Sequence, residues 1–418
     1  MESRRGWSAR GPAMRRPLNA RWLAALLLAS AALSFGAAPD FYATRPLYER
    51  PLDFQRVPRG LKSLSARECG ACHVEIYREW RQSVHAQAWH DPQFQSEFRK
   101  QPGVQWMCVN CHTPLRNQLD SLVVALRRGD VERPVRRANP AFDPALKEEA
   151  ITCASCHVRD GAVEGPFGTT TAPHATRRNP DFRSPAQCLR CHQAVQAYPG
   201  KNFICTFNTG EEWRAGPFER RGRICQDCHM PEVRRPLVAG GSVRRTGLHG
   251  WIGSHLRKGG ETDPALWEAM AKRLPPGVEL RPGPTPRATA GAPAQWRVAA
   301  VNTHAGHRLP TGDPEREVIV ELAAIAGRDT VARARHSIRQ EYQWAPVVRK
   351  LYDHRLAPGE STVVTLRYRV PRSEYRLVAR AVNVRISDAN ADYHRLPASY
   401  PRRTEVARLE RRVRPPGR

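Results

Sequence analysis

The chain has 418 residues and a formal charge of +27, from 67 basic and 40 acidic side chains, which is enough length for two or three domains. Only seven of the basic residues are lysines, and the arginines run along the whole chain. That spread excludes the gathered basic footprint of a nucleic-acid binder, and it suits internal anionic partners or docking to an acidic redox partner.

The first expected element is an export signal at residues 1–38. Arg15, Arg16 and Arg21 precede the apolar run Trp22 to Phe35, and Gly36, Ala37 and Ala38 offer a cleavage site. Met14 would give a start of more usual length. An uncleaved anchor is the rival, since Trp22 to Ala38 just reaches the minimum span of about 17 residues. Either way the expectation is export: periplasmic, extracellular, or anchored to the membrane and facing the periplasm.

Next come five copies of one spelling, Cys-x-x-Cys-His: "CGACH" at 69, "CVNCH" at 108, "CASCH" at 153, "CLRCH" at 188 and "CQDCH" at 225. Random placement would give roughly 0.01 such strings. Two thiols three positions apart share one side of a helical turn, where both can add to the vinyl groups of one haem, and the following histidine reaches the iron. The attachment set is Cys69, Cys72, Cys108, Cys111, Cys153, Cys156, Cys188, Cys191, Cys225 and Cys228. The proximal iron ligands are His73, His112, His157, His192 and His229. A Cys₄ zinc site needs no histidine after each pair and leaves one of five pairs unmatched, and disulfides within such tight loops staple nothing distant. The expected cofactor is five covalent haem c groups. Haem c is attached outside the cytoplasm, in keeping with the signal.

The motifs are 39, 45, 35 and 37 residues apart. So dense a series leaves little protein core, and the haems themselves must supply most of the buried apolar surface of residues 39–280. A helix is expected over Val74 to Trp89 and another over Asp263 to Leu274, with Thr262 or Asp263 as its cap. Proline and glycine crowd 273–293, and 281–293 read as a linker. Alternating runs such as "AQWRVAAVN", "REVIVELAAI", "STVVTLRYRV" and "YRLVARAVNVRI" then predict an antiparallel β-sandwich, Ig-like, over 294–400. The arginine-rich end, 401–418, reads as disordered. The expected fold class is thus mixed: an α and irregular multihaem domain wrapped around its haems, then the sandwich.

Ten histidines lie outside the motifs. His85 is twelve residues beyond His73, about 18 Å along an unbroken helix, whereas two ligands of one iron lie about 4 Å apart. Either it serves another haem or the helix breaks. His90 is its rival, and His304 is the rival of His307. His336, His354 and His394 read as ordinary solvated or hydrogen-bonded side chains. Cys205, the leftover thiol, reads as a buried small hydrophobe.

"ECGACHVEIYREWRQSVHAQAW" resembles the multihaem cytochromes of the cytochrome c-552/c-554 class, and "CVNCHTPL", "ITCASCHVRDGAVEGP", "CQDCHMP…LHGWIGSH" and "NTHAGHRLPTGDPEREVIVEL" look like later parts of the same kind of protein. The resemblance covers roughly residues 65 to 325. It implies an electron carrier with His85, His174, His249, His255 and His307 as distal iron ligands. Five distal histidines for five haems force no vacancy. Related pentahaem nitrite reductases mark the catalytic haem with Cys-x-x-Cys-Lys, and no such string occurs here. Two other readings stay open: an oxidoreductase acting on a small nitrogen or sulfur oxyanion at a five-coordinate haem, and a β-domain that binds a partner with the haems as its relay.

Overall fold

The computed structural model describes residues 40–168, 171–198 and 204–416, with the side chains of 195–197 and 204–206 left aside. The expected signal segment, 1–38, and the side chain of Cys205 lie outside the described residues. Among the described residues no helix is long and apolar enough to cross a membrane.

The described residues between 40 and 277 form short helices, turns and small two- and three-stranded sheets. The helices that matter for the site are α1 (Ala66–Gly70), α2 (Val74–Arg81), α3 (Pro92–Lys100), α4 (Gln105–His112), α5 (Cys153–His157), α6 (Ala186–His192), α7 (Cys225–His229) and α8 (Pro264–Ala271). The helix expected over 74–89 stops at Arg81 and gives way to turns. Gln82 donates both to the Arg78 carbonyl and to Thr262 Oγ1, each at 3.0 Å, which pulls the backbone out of register. α8 begins as its sequence predicts: Asp263 accepts from the Leu266 amide at 3.0 Å and proline occupies the first turn.

The remaining chain is a sandwich of two antiparallel sheets. One runs β1 (Val278–Pro282), β2 (Pro293–Asn302), β6 (Ser361–Arg369). The other runs β5 (Arg349–Asp353), β4 (Asp329–Gln343), β3 (Glu317–Ala326), β7 (Tyr375–Val384), β8 (Arg403–Val413). Every second residue points inward: Trp296, Val298 and Ala300 meet Val320, Leu322, Leu366 and Leu377 in a single core in which all seven are fully buried. Each such large side chain contributes about 1.5–3 kcal/mol.

Two expectations about boundaries fail here. Val278–Pro282 is an edge strand paired with β2, so the sandwich begins before the supposed linker and only 283–292 connect strands without joining a ladder. An edge position tolerates the proline. The basic end is not disordered: Arg403–Val413 pairs along β7, Val406, Leu409 and Val413 pack inward, and Glu410 takes Arg376 at 3.3 Å. Its arginine count hid the alternation.

The sandwich sits directly on the preceding segment. Arg355 donates to Glu212 at 2.6 Å, Thr209 meets Thr311 at 2.9 Å, and Asn383 donates to the Ser254 carbonyl at 2.8 Å. In the same junction, burial first, then Asp313 and Glu97, raise the pKa of half-buried Glu315 from 4.5 to about 7. A carboxyl whose pKa is raised by folding stabilises fully below its unfolded value and loses that contribution as pH rises through the folded one. Glu315→Gln should therefore match the parent below pH 4.5 and exceed it above pH 7 by about 1–2 kcal/mol, after allowing for solvent screening. Melting temperatures across pH 4–8 measure this, and equal curves throughout would refute it.

Candidate functional site

Four of the five Cys-x-x-Cys-His strings lie on short helices, α4, α5, α6 and α7, each of which ends on the motif histidine itself; the first bridges two helices, with Cys69 on α1 and His73 capping α2. Thiols from different motifs meet. Cys69 contacts Cys153, Cys188 contacts Cys225, and Cys191 contacts Cys111. The attachment edges of separate motifs are thus brought side by side.

The histidines form opposed pairs. His73 faces His174 with ring centroids 6.4 Å apart, His192 faces His85 at 6.4 Å, His157 faces His249 at 6.2 Å and His229 faces His307 at 6.3 Å. Two imidazoles bound to opposite faces of one metal, with bonds of about 2 Å and ring centres about 1.1 Å further out, are separated by about 6.2 Å. The four pairs fit an interposed iron.

The outer nitrogens fit as well. Nδ1 donates to a backbone carbonyl in His73 (Leu237, 3.0 Å), His112 (Ala88, 2.7 Å), His157 (Glu164, 2.9 Å), His174 (Ala175, 3.4 Å), His229 (Ile252, 2.9 Å), His249 (Gly247, 2.8 Å) and His307 (Arg308, 2.8 Å). This is the usual support of a metal-bound imidazole, and it leaves Nε2 free for the metal. Burial favours the neutral ring, the form that binds a metal, at four of the paired or motif histidines: the pKa falls to about 3 for His85 and His249 and to about 4 for His112 and His192. Among the described residues no three His, Cys, Asp or Glu side chains gather as a metal cluster. A haem asks for fewer, because the porphyrin supplies four of the six iron ligands.

His255 stands outside these ring pairs: its Nε2 meets the Leu274 carbonyl at 2.7 Å, beyond the end of α8, which leaves Nδ1 as its remaining ligand atom. His112 is consequently the one motif histidine with no histidine opposite it among the described residues; Phe94 stacks on its face at 3.5 Å. The rivals separate in the same way. His90 uses Nε2 on the Glu148 carbonyl at 2.8 Å, and His304 is exposed. His394 is held by Ser96, Lys100 and Glu97, His354 rests on Tyr352, and His336 lies within β4.

Two positioning residues were not singled out from sequence. Glu79 forms a buried pair with Arg235 and accepts the His249 amide at 2.9 Å. Trp251 packs against His85 at 4.7 Å and His249 at 5.2 Å. It holds a left-handed φ of 44°, a strained conformation for a bulky side chain. His85 makes no carbonyl contact among the described residues, and the Trp251 ring orients it instead. The only hint was "GWIGS", where glycine on either side gives the backbone room to turn.

Residues 68–158, which hold the first three motifs, match the family described as cytochrome c554 and c-prime. The match supports a c-type cytochrome with covalent haem c and an electron-transfer role. No curated protein matches the chain. Among solved structures, a glycosyl hydrolase family 2 member from Bacteroides cellulosilyticus DSM 14838 is similar at 18% identity, over 33% of this chain and 14% of that one, with a TM-score of 0.18. The PapD-like domain 7 of human CEP192 is similar at 12% identity, over 33% of this chain and 84% of that one, with a TM-score of 0.16. At those scores neither carries an argument.

Proposed function

We propose that the chain is an exported electron carrier with five covalent haem c groups, held by the ten motif cysteines and the five motif histidines. Four of the haems take a second histidine: His174 opposite His73, His85 opposite His192, His249 opposite His157, and His307 opposite His229. The observation that carries the reading is the set of four opposed ring pairs at 6.2–6.4 Å. A haem supplies reversible one-electron chemistry, and the chain's contribution is to fix the ligands and seat the groups edge to edge. Its partner is a redox protein with an acidic face, given the +27 charge. No nucleic acid is expected, and membrane association rests with residues 1–38. Intact-mass spectrometry of the exported protein should give the polypeptide plus five haem masses; zinc, or fewer than four haems, would sink the proposal.

His112 favours a second reading. An iron held by this histidine alone keeps one axial position open to a small nitrogen or sulfur oxyanion, as a haem oxidoreductase requires. Electron paramagnetic resonance separates the two. A carrier gives at most a high-spin signal indifferent to added oxyanions, whereas one high-spin iron per chain that shifts with nitrite or sulfite favours the enzyme.

A further inference from the structure

Where three chain segments meet, the structure buries a group of charges that the histidine pairs do not use. Asp91, 2% exposed, caps α3 by accepting the Gln93 and Phe94 amides, and it accepts the Tyr400 hydroxyl at 3.1 Å. Its other oxygen takes Lys258 Nζ and, at 2.6 Å, Arg385 Nη2. Arg385 Nε reaches Gln93 at 3.0 Å, while its Nη1 is buried with no hydrogen-bond partner. Arg316, just before β3, completes the group: Nη1 donates to the Thr311 carbonyl at 3.2 Å, and its charge acts on both Lys258 and Arg385.

Three cations thus confront one buried carboxylate, Asp91, with Asp313 in reach of Arg316 as the second acid. Buried charge is stable only when paired and hydrogen-bonded. The deficit shows on Lys258, whose pKa burial and then Arg385 bring down to about 8 despite the Asp91 contact. An anion with free oxygens would relieve all three cations and satisfy the open guanidinium nitrogen.

The surroundings say which anion. The Lys258 charge reaches His85 and His112, and that of Arg316 reaches His192 and His307. His85 and His192 face each other 6.4 Å apart and are the one opposed pair among these that is reached from both cations. We propose that Lys258, Arg316 and Arg385 form a carboxylate site that receives the propionates of the haem attached at Cys188 and Cys191. The inference rests on the haem reading given under Proposed function. Its chemistry is that of any small oxyanion, but a propionate is tethered to its haem and present at one per site, whereas a free ion must be drawn from solution. Arg316 and Arg385 belong to the sandwich and Lys258 to the segment before α8, so the propionates join the two halves of the molecule.

The test uses the full haem-loaded protein. Arg385→Leu removes a positive charge beside one haem, and positive charge favours the reduced iron. One component of the redox titration should therefore fall by about tenfold in its reduction constant, 59 mV for one electron. In resonance Raman, the propionate bending band of one haem should shift while the other haems hold theirs. Arg385→Lys keeps the charge and loses the fork, so it should keep the potential yet still move the band. It also serves if the leucine variant does not fold. Five haems with unmoved potentials and bands in both variants overturn this proposal and leave the haem reading standing, whereas missing haems in the parent overturn that reading itself. If added phosphate shifts the parent's titration, and Arg385→Leu abolishes that shift without touching any propionate band, the site takes a free oxyanion and the propionate assignment is wrong.

Discussion

His307→Ala should turn one low-spin haem per chain into a high-spin one while leaving all five haems attached. His307 stands parallel to His229, 7° between ring planes and 6.3 Å between centroids. Its ring is set by the bond from Nδ1 to the Arg308 carbonyl, and its own carbonyl accepts from Asn302 at 2.9 Å. Burial lowers its pKa, which favours the neutral ring. The thioether links at Cys225 and Cys228 do not depend on it, so the intact mass should change only by the side chain. Spin quantification by electron paramagnetic resonance checks the change, which should be one iron per chain above the parent's high-spin content. An unaltered count would remove His307 from the ligand set. The result bears on more than one iron, because His307 is the axial ligand that the sandwich would provide.

The second large effect is expected at Glu79. Its carboxylate and the Arg235 guanidinium are 7% and 8% exposed and form a two-point pair, and the same carboxylate holds the His249 amide. Glu79→Ala leaves the buried Arg235 with only the exposed Glu75 carboxylate at 3.7 Å as a counter-charge, a loss of about 3 kcal/mol, at the lower end for a broken buried pair. The midpoint of denaturant unfolding for the haem-bearing half, read by haem absorbance, should fall accordingly. Replacing the pair together, Glu79→Leu with Arg235→Met, should recover most of that loss, since apolar side chains of similar volume do well in such sites. It should not restore the anchor on His249. The low-spin signal of the haem between His157 and His249 should therefore stay displaced in the double variant. If it returns with stability, Glu79 acts on the fold alone.

These expectations differ in how far sequence could see them. The attachment strings are local: two thiols and a histidine within five residues declare their chemistry whatever surrounds them. Four strands of the sandwich, β2, β3, β6 and β7, were equally plain, because alternation is also local and Trp296, Val298 and Ala300 announce a buried face. Pairing was not local. His73 meets His174, and His85 meets His192, across a hundred residues or so of intervening chain, and no periodicity records that meeting. The bond between His255 and the Leu274 carbonyl is equally silent in a string of letters. The break after Arg81 came from Gln82 reaching Thr262, a contact helix propensity does not contain. At the basic end, ion pairs such as Arg376 with Glu410 offset the repulsion that charge counting predicts.

The uneven distribution of core has a consequence for biogenesis. The sandwich owns one large apolar cluster, whereas the haem-bearing half divides its buried residues among small separate ones. On the haem reading proposed above, the half that depends on its cofactor is made first, and the half that owns a large core is made last. His307 and Arg385 therefore reach the motif helices only once the sandwich has been made, and the sandwich is a lid that arrives after the sites it covers.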